Sequence, residues 1–187
     1  MSVTDLDVII EKSLRSFHSD ICSSEWCGRE REMLSLYVFG HLVKFCHPRT
    51  ILYDTAQIGI EVAVPQLPPD QEHRGRGKTV CKDLVIWPEP KMTMWSIGRP
   101  NREPLAVIEW KVIYQLGGGR PRKSKVDESE RTRGDISWLT EKSRAVADFI
   151  GYAIFVDSTC QPKRLTCARM HRGRDQKSWL VLDAYYK

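Results

Sequence analysis

The sequence predicts an α/β domain in which a central mixed β-sheet is flanked by α-helices. Two observations lead there. Apolar residues recur at helical spacing in two N-terminal stretches, and a third helical stretch then separates three strand-like runs from three more. The 187 residues suit a single domain over 1–187, with N-terminal helices over 3–47 and a sheet core over 50–187.

Asp5 to Phe17 carry Ile9, Ile10, Leu14 and Phe17 with charges between them, which predicts the first helix. A second is expected from Ser24 to Cys46, where Met33, Leu34, Tyr37, Val38, Leu42, Val43 and Phe45 cover a wide apolar face. His47-Pro48 stops it, because the residue before proline avoids the α region. In GIEVAVPQ, Ile60, Val62 and Val64 alternate with Glu61 and Ala63, the period of a strand. The turn-rich LPPDQEHRGRGK comes next and leads into the strand-like TVCKDLVIW, which predicts an antiparallel hairpin with a long tip. A proline-punctuated loop over 88–104 has room for a short MTMWSI strand. LAVIEWKVIY is the least ambiguous strand, being β-branched, apolar and free of Gly and Pro.

From Gly117 to Gly134 all periodicity is lost, and the segment reads as a mobile, solvated basic loop. Asp135 is suited to cap a helix running through Trp138, Leu139, Val146 and Phe149, with Gly151 at its end. YAIFVD is a short strand, Cys160-Gln161-Pro162 a turn, and RLTCARM and SWLVLDAYY two further strands separated by the polar HRGRDQK.

Lys and Arg number 29 against 24 Asp and Glu, giving a formal charge of +5 and a pI near 8.9. That basic excess is compatible with a polyanionic partner without requiring one. The opening MSVTDLDVIIEK is acidic and amphipathic, unlike a signal peptide. No apolar run approaches the roughly 20 residues that span a bilayer. The chain therefore reads as cytoplasmic and off the membrane, with its six cysteines reduced.

Glu109 and Lys111 stand two apart in the apolar LAVIEWKVIY, so they share one face while Ile108, Trp110 and Val112 take the other. Asp83 interrupts the preceding strand in the same way. Burying unpaired charge is costly, so ionisable insertions on consecutive strands suggest convergence on a site. Two carboxylates from neighbouring strands can hold a hard cation that polarises a phosphodiester and activates water. A lysine beside them can orient that water or offset charge on phosphate.

This arrangement resembles the PD-(D/E)XK nuclease superfamily, in which an aspartate on one strand is followed on the next by an acid-x-lysine triplet. Here the aspartate is Asp83 and the triplet Glu109-Trp110-Lys111. The likeness extends over Ser24 to Asp157 in the order of elements, with Lys82 where a proline is usual and a long gap before Glu109. It implies a restriction-endonuclease-like core and a Mg²⁺- or Mn²⁺-dependent nuclease acting on DNA. Asp83, Glu109 and Lys111 would be catalytic, and Asp83, Glu109 and the Trp110 carbonyl would be metal ligands. The superfamily's leading helix often adds a glutamate near the metal; Glu32 is preferred here over Glu30 and Glu25.

Two basic clusters could hold phosphate: Arg74, Arg76 and Lys78 beside His73, and Arg120, Arg122, Lys123 and Lys125. A nuclease-like module that binds nucleic acid or protein without cutting is the alternative function, and a homodimer is left open. A zinc module built from Cys22, Cys27, His41, Cys46 and His47 is disfavoured by its ligand spacing. The basic group Arg169, Arg172, Arg174 and Lys177 reads as a plain polar turn.

Overall fold

The computed structural model describes residues 3–24, 28–65, 79–92, 103–114 and 128–183. Helix α1 spans Val3–Ser23 and buries Leu6, Ile10, Leu14, Phe17 and Ile21 along one stripe. Helix α2, Glu30–Tyr37, opens with a capping box in which the Glu32 carboxylate accepts the Arg29 N–H at 2.7 Å. It then loosens into a π turn over Val38–Leu42 and a 3-10 turn over Val43–Phe45. The chain leaves helical geometry at Cys46, ahead of His47-Pro48 as expected.

Six strands form one mixed sheet in sequence order: β1 Ile58–Pro65, β2 Thr79–Ile86, β3 Ala106–Ile113, β4 Ile150–Asp157, β5 Arg164–His171 and β6 Arg174–Leu182. Neighbours are antiparallel except β3 and β4, which run parallel and are linked through helix α3, Glu128–Ala145. Apolar clusters cover both faces. One joins Leu84, Ile86, Ile108, Trp110, Tyr152 and Ile154 to α1 and α2; the other joins Val85, Val107, Ala153 and Met170 to Leu139 of α3. β3 and β4 are thus covered on both sides, which is why their sequences read as near-continuous apolar runs.

Strand alternation fails at one place. Ile60 packs into the α1–α2 cluster, yet Val62 and Val64 pack into the α3 cluster. Opposite them, Leu84 faces the first cluster, while Lys82 lies over the ring of Trp138 on α3. The ladder passes from Ile60↔Leu84 to Val62↔Lys82, with Glu61 at φ 50°. Both strands turn over around Glu61 and Asp83, as at a bulge.

Three sequence expectations need correction. Helix α3 begins at Glu128, so 128–134 belongs to the helix rather than to the basic loop, and Asp135 lies inside the helix instead of capping it. Residues 117–127 of that loop, and the expected MTMWSI strand apart from Met92 and the residues before it, lie outside the described residues. The helix ends at Ala145, and Gly151 lies in β4, where an added Cβ would meet Leu139 Cβ at 2.7 Å. Finally, HRGRDQK is mostly strand: only Arg172 (φ 51°) and Gly173 (φ 70°) form the turn, a two-residue hairpin with both φ positive. Gly173 is required there, because a Cβ would stand 2.3 Å from Arg144 Cγ.

Candidate active site

β3 delivers Glu109 and Lys111 to the α3 face, as the period-2 reading expects, and sends Trp110 to the other. There the Trp110 indole packs against Tyr37 and Phe17, with ring centroids 5.1 and 5.5 Å away. That contact locks the strand in rotation, so the two ionisable side chains have a rigid base.

Asp83 joins them through the break in the sheet. β2 and β3 pair only at Leu84↔Ile108, Val85↔Val107 and Ile86↔Ala106. Where the ladder stops, the Asp83 carboxylate accepts the Trp110 N–H at 2.8 Å, so a side chain takes a bond that a backbone carbonyl would otherwise accept. The other Trp110 backbone group, its carbonyl, accepts the Lys111 ammonium at 3.1 Å.

Lys111 is the centre of the charge cluster. Its Nζ lies 3.5 Å from Asp135 Oδ2, 3.7 Å from Asp83 Oδ2 and 3.7 Å from Glu30 Oε1. Burial acts to lower its pKa, but Asp135, Asp83, Glu30 and Glu109 outweigh it, and the net shift is upward. Lys111 therefore stays charged. Burial raises the Glu30 carboxyl above its usual range; Lys111 opposes this, and Asp83 and Asp135 add to it.

Glu109 has a different partner. It is 5% exposed and ion-paired through Oε1 to Lys82, itself 6% exposed. Burial pushes its pKa up to about 7 against the pull of Lys82, with Asp83 and Asp135 pushing the same way. Lys82 is completed by Trp138, whose ring centroid is 4.0 Å from Nζ.

The structure sets Asp83 and the Trp110 carbonyl beside Lys111, with Glu109 on the same face but paired to Lys82, and it places Glu30 rather than Glu32 near the lysine. Glu32 is spent on the Arg29 N–H at the start of α2. Glu30 approaches Lys111, and Glu25 lies outside the described residues. Asp135, suited by sequence to cap the helix, lies about two turns inside α3 and reaches the lysine. Lys142, further along α3, is buried and ion-paired to the exposed carboxylate of Glu103. Sequence reasoning missed Lys82, since period 2 puts it on the face away from Glu109. Its only signal was a lysine embedded in an apolar strand.

The expected phosphate-binding residues Arg74, Arg76, Lys78, Arg120, Arg122, Lys123 and Lys125 lie outside the described residues. Arg169 is committed elsewhere, bridging both oxygens of Asp7 at 2.7 and 2.6 Å. Among the described residues, no three His, Cys, Asp or Glu side chains are gathered closely enough to hold a metal ion by themselves. Of the residues weighed for a zinc module, Cys22 Sγ lies 3.4 Å from His18 Nε2, His41 bonds Ser16 and approaches Asp20, and Cys27 lies outside the described residues. No helix among the described residues is long and apolar enough to cross a membrane. No family model, curated protein or solved structure matches the chain.

Proposed function

We propose that this chain is a Mg²⁺- or Mn²⁺-dependent nuclease that hydrolyses phosphodiester bonds, with DNA as the expected substrate and a restriction-endonuclease-like core as its scaffold. One observation carries the reading. Glu30, Asp83 and Asp135 converge on the single ammonium of Lys111, with the Glu109 carboxylate on the same strand face. Three carboxylates around one ammonium leave an excess of negative charge that a hard divalent cation would neutralise.

The donor set fits Mg²⁺ or Mn²⁺ better than a cation needing a closed protein cage. Mg²⁺ keeps several waters and takes one or two carboxylates plus substrate phosphate oxygens, and the candidate donors here are all oxygen. Asp83 and Glu109 would hold the ion, with Glu30 nearby. When bound, it would polarise the phosphate and acidify water.

The remaining roles belong to the chain. Asp83 is fixed by the Trp110 N–H, so its free oxygen is aimed without a search through rotamers. Lys111, kept charged, can orient water and offset charge growing on the phosphate. Asp135 and Glu30 hold the ammonium among them.

The test is a cleavage panel of single-stranded, double-stranded and branched DNA plus RNA, with Mg²⁺, Mn²⁺ or EDTA, on wild type, Asp83→Ala and Lys111→Ala. Cleavage that needs the metal and is lost in both variants supports the proposal. Cleavage indifferent to EDTA and to both substitutions overturns it. Binding without cutting on every substrate would favour the alternative of a nuclease-like binding module.

A further inference from the structure

Lys82 takes no part in the mechanism above, yet it is the most tightly held charge at the site. It is 6% exposed, it pairs with Oε1 of Glu109, and its Nζ lies 4.0 Å from the Trp138 ring centroid. Trp138 is itself set edge-on against Phe149, with centroids 6.4 Å apart at 82°. A lysine clamped in this way is no mobile counter-charge. It occupies Oε1 of Glu109, and among the described residues no hydrogen bond claims the other oxygen, Oε2.

That matters for which cation the site accepts. Mg²⁺ and Mn²⁺ favour octahedral coordination with one oxygen per carboxylate, whereas Ca²⁺ takes six to eight oxygens and readily binds a carboxylate through both. We propose that Lys82 is a specificity-determining residue: by holding Oε1 it presents Glu109 as a one-oxygen ligand, and so selects Mg²⁺ and Mn²⁺ over Ca²⁺. This rests on the metal-site reading of Asp83 and Glu109. A lysine that were only a counter-charge would behave differently, since Mg²⁺ and Ca²⁺ carry the same charge and its removal would shift both affinities together.

The experiment is calorimetric titration of wild type, Lys82→Met, Lys82→Arg and Glu109→Gln with MgCl₂, MnCl₂ and CaCl₂ at one pH and ionic strength, each variant first checked by thermal melting. In Lys82→Met the ratio of the Ca²⁺ to the Mg²⁺ dissociation constant should fall about tenfold or more, the scale on which outer partners of metal ligands act. Lys82→Arg should not reproduce that fall, because its guanidinium still occupies Oε1. If Lys82→Met does not fold, Lys82→Gln, too short to hold the carboxylate in the same way, should show the same fall. An unchanged ratio in a folded neutral variant overturns the inference even if both affinities move in parallel. Wild type showing no divalent binding that Glu109→Gln removes would instead overturn the metal-site reading, and this inference with it.

Discussion

The two sides of β3 are built differently. Toward β4 the ladder is unbroken, pairing every residue from Ala106↔Ile150 to Ile113↔Asp157. Toward β2 it lasts for three pairs and then gives way to a side chain, the Asp83 carboxylate on the Trp110 N–H. The regular side buries most of its side chains in two apolar clusters, and its buried titratable group, Tyr152, donates to Asp7 instead of joining the charge cluster. The broken side gathers Glu30, Asp83, Asp135, Lys82, Glu109 and Lys111. A continuous sheet has no unclaimed N–H to aim a carboxylate; ending the ladder early supplies one. The regular side gives rigidity, and the interruption makes room for chemistry.

The sharpest break of that division would come from Lys111. Lys111→Ala should lower cleavage by about 10²–10³-fold, the scale of removing one preorganised electrostatic partner of a transition state. Its melting temperature should fall less than that of a core truncation, because the side chain is 27% exposed even though Glu30, Asp83 and Asp135 lose their counter-charge. Ile154, fully buried on the regular side, should do the reverse. Ile154→Ala should cost about 2–5 kcal/mol in a denaturant titration while leaving turnover per folded molecule unchanged. If Ile154→Ala cut turnover as deeply as Lys111→Ala, the two sides would not be separable.

The next effect is smaller and has opposite signs in two assays. Glu109 has its pKa raised to about 7, above the roughly 4.3 of a carboxyl in an unfolded chain. Between those values the folded protein holds a proton that the unfolded chain has released. Its contribution to stability is therefore complete below about pH 4 and is lost as pH rises through about 7. Cleavage needs the ionised carboxylate and should rise through that same window. Melts in EDTA at pH 5 and pH 8, beside a pH–rate profile, test both slopes. Glu109→Gln should remove this falling component, and a stability trend identical in wild type and Glu109→Gln would show that the buried pair is ionised throughout.

What the sequence made legible follows the same division. The β3 and β4 strands were readable because burial on both faces leaves a continuous apolar run. Glu109 and Lys111 were placed on one face because that strand is regular. Lys82 was not legible, since the fault at Glu61 and Asp83 reverses the face on which period 2 puts it. Glu30 and Glu32 could not be ranked by spacing, because both start the same helix; the cap that occupies Glu32 is a feature of three dimensions. Asp135 looked like a cap because the loop before it breaks the apolar period, yet helix α3 continues back to Glu128 with little apolar signal. Local pattern reports regular structure well and reports its interruptions poorly.

The smallest predicted effect tests whether the interruption is set by backbone. Glu61 adopts φ 50°, and its exposed carboxylate meets Arg31 at 2.7 and 2.6 Å. The ion pair is solvated and contributes little. The left-handed backbone matters more, since it turns β1 from one core to the other and puts Lys82, its neighbour across the ladder, against Trp138. Glu61→Gly keeps that conformation accessible and should leave denaturant stability and cleavage near wild type. Glu61→Val forces a β-branched side chain into the left-handed region at a cost of about 1–2 kcal/mol, and should reduce cleavage several-fold as the strands resist turning over. Arg31→Ala removes the same ion pair without touching the backbone, and should match wild type in both assays. If Glu61→Val proved as stable and active as Glu61→Gly, the face change would have to be held by Lys82 and its buried partners instead, and Lys82→Met would then collapse the broken side of the sheet rather than retune it.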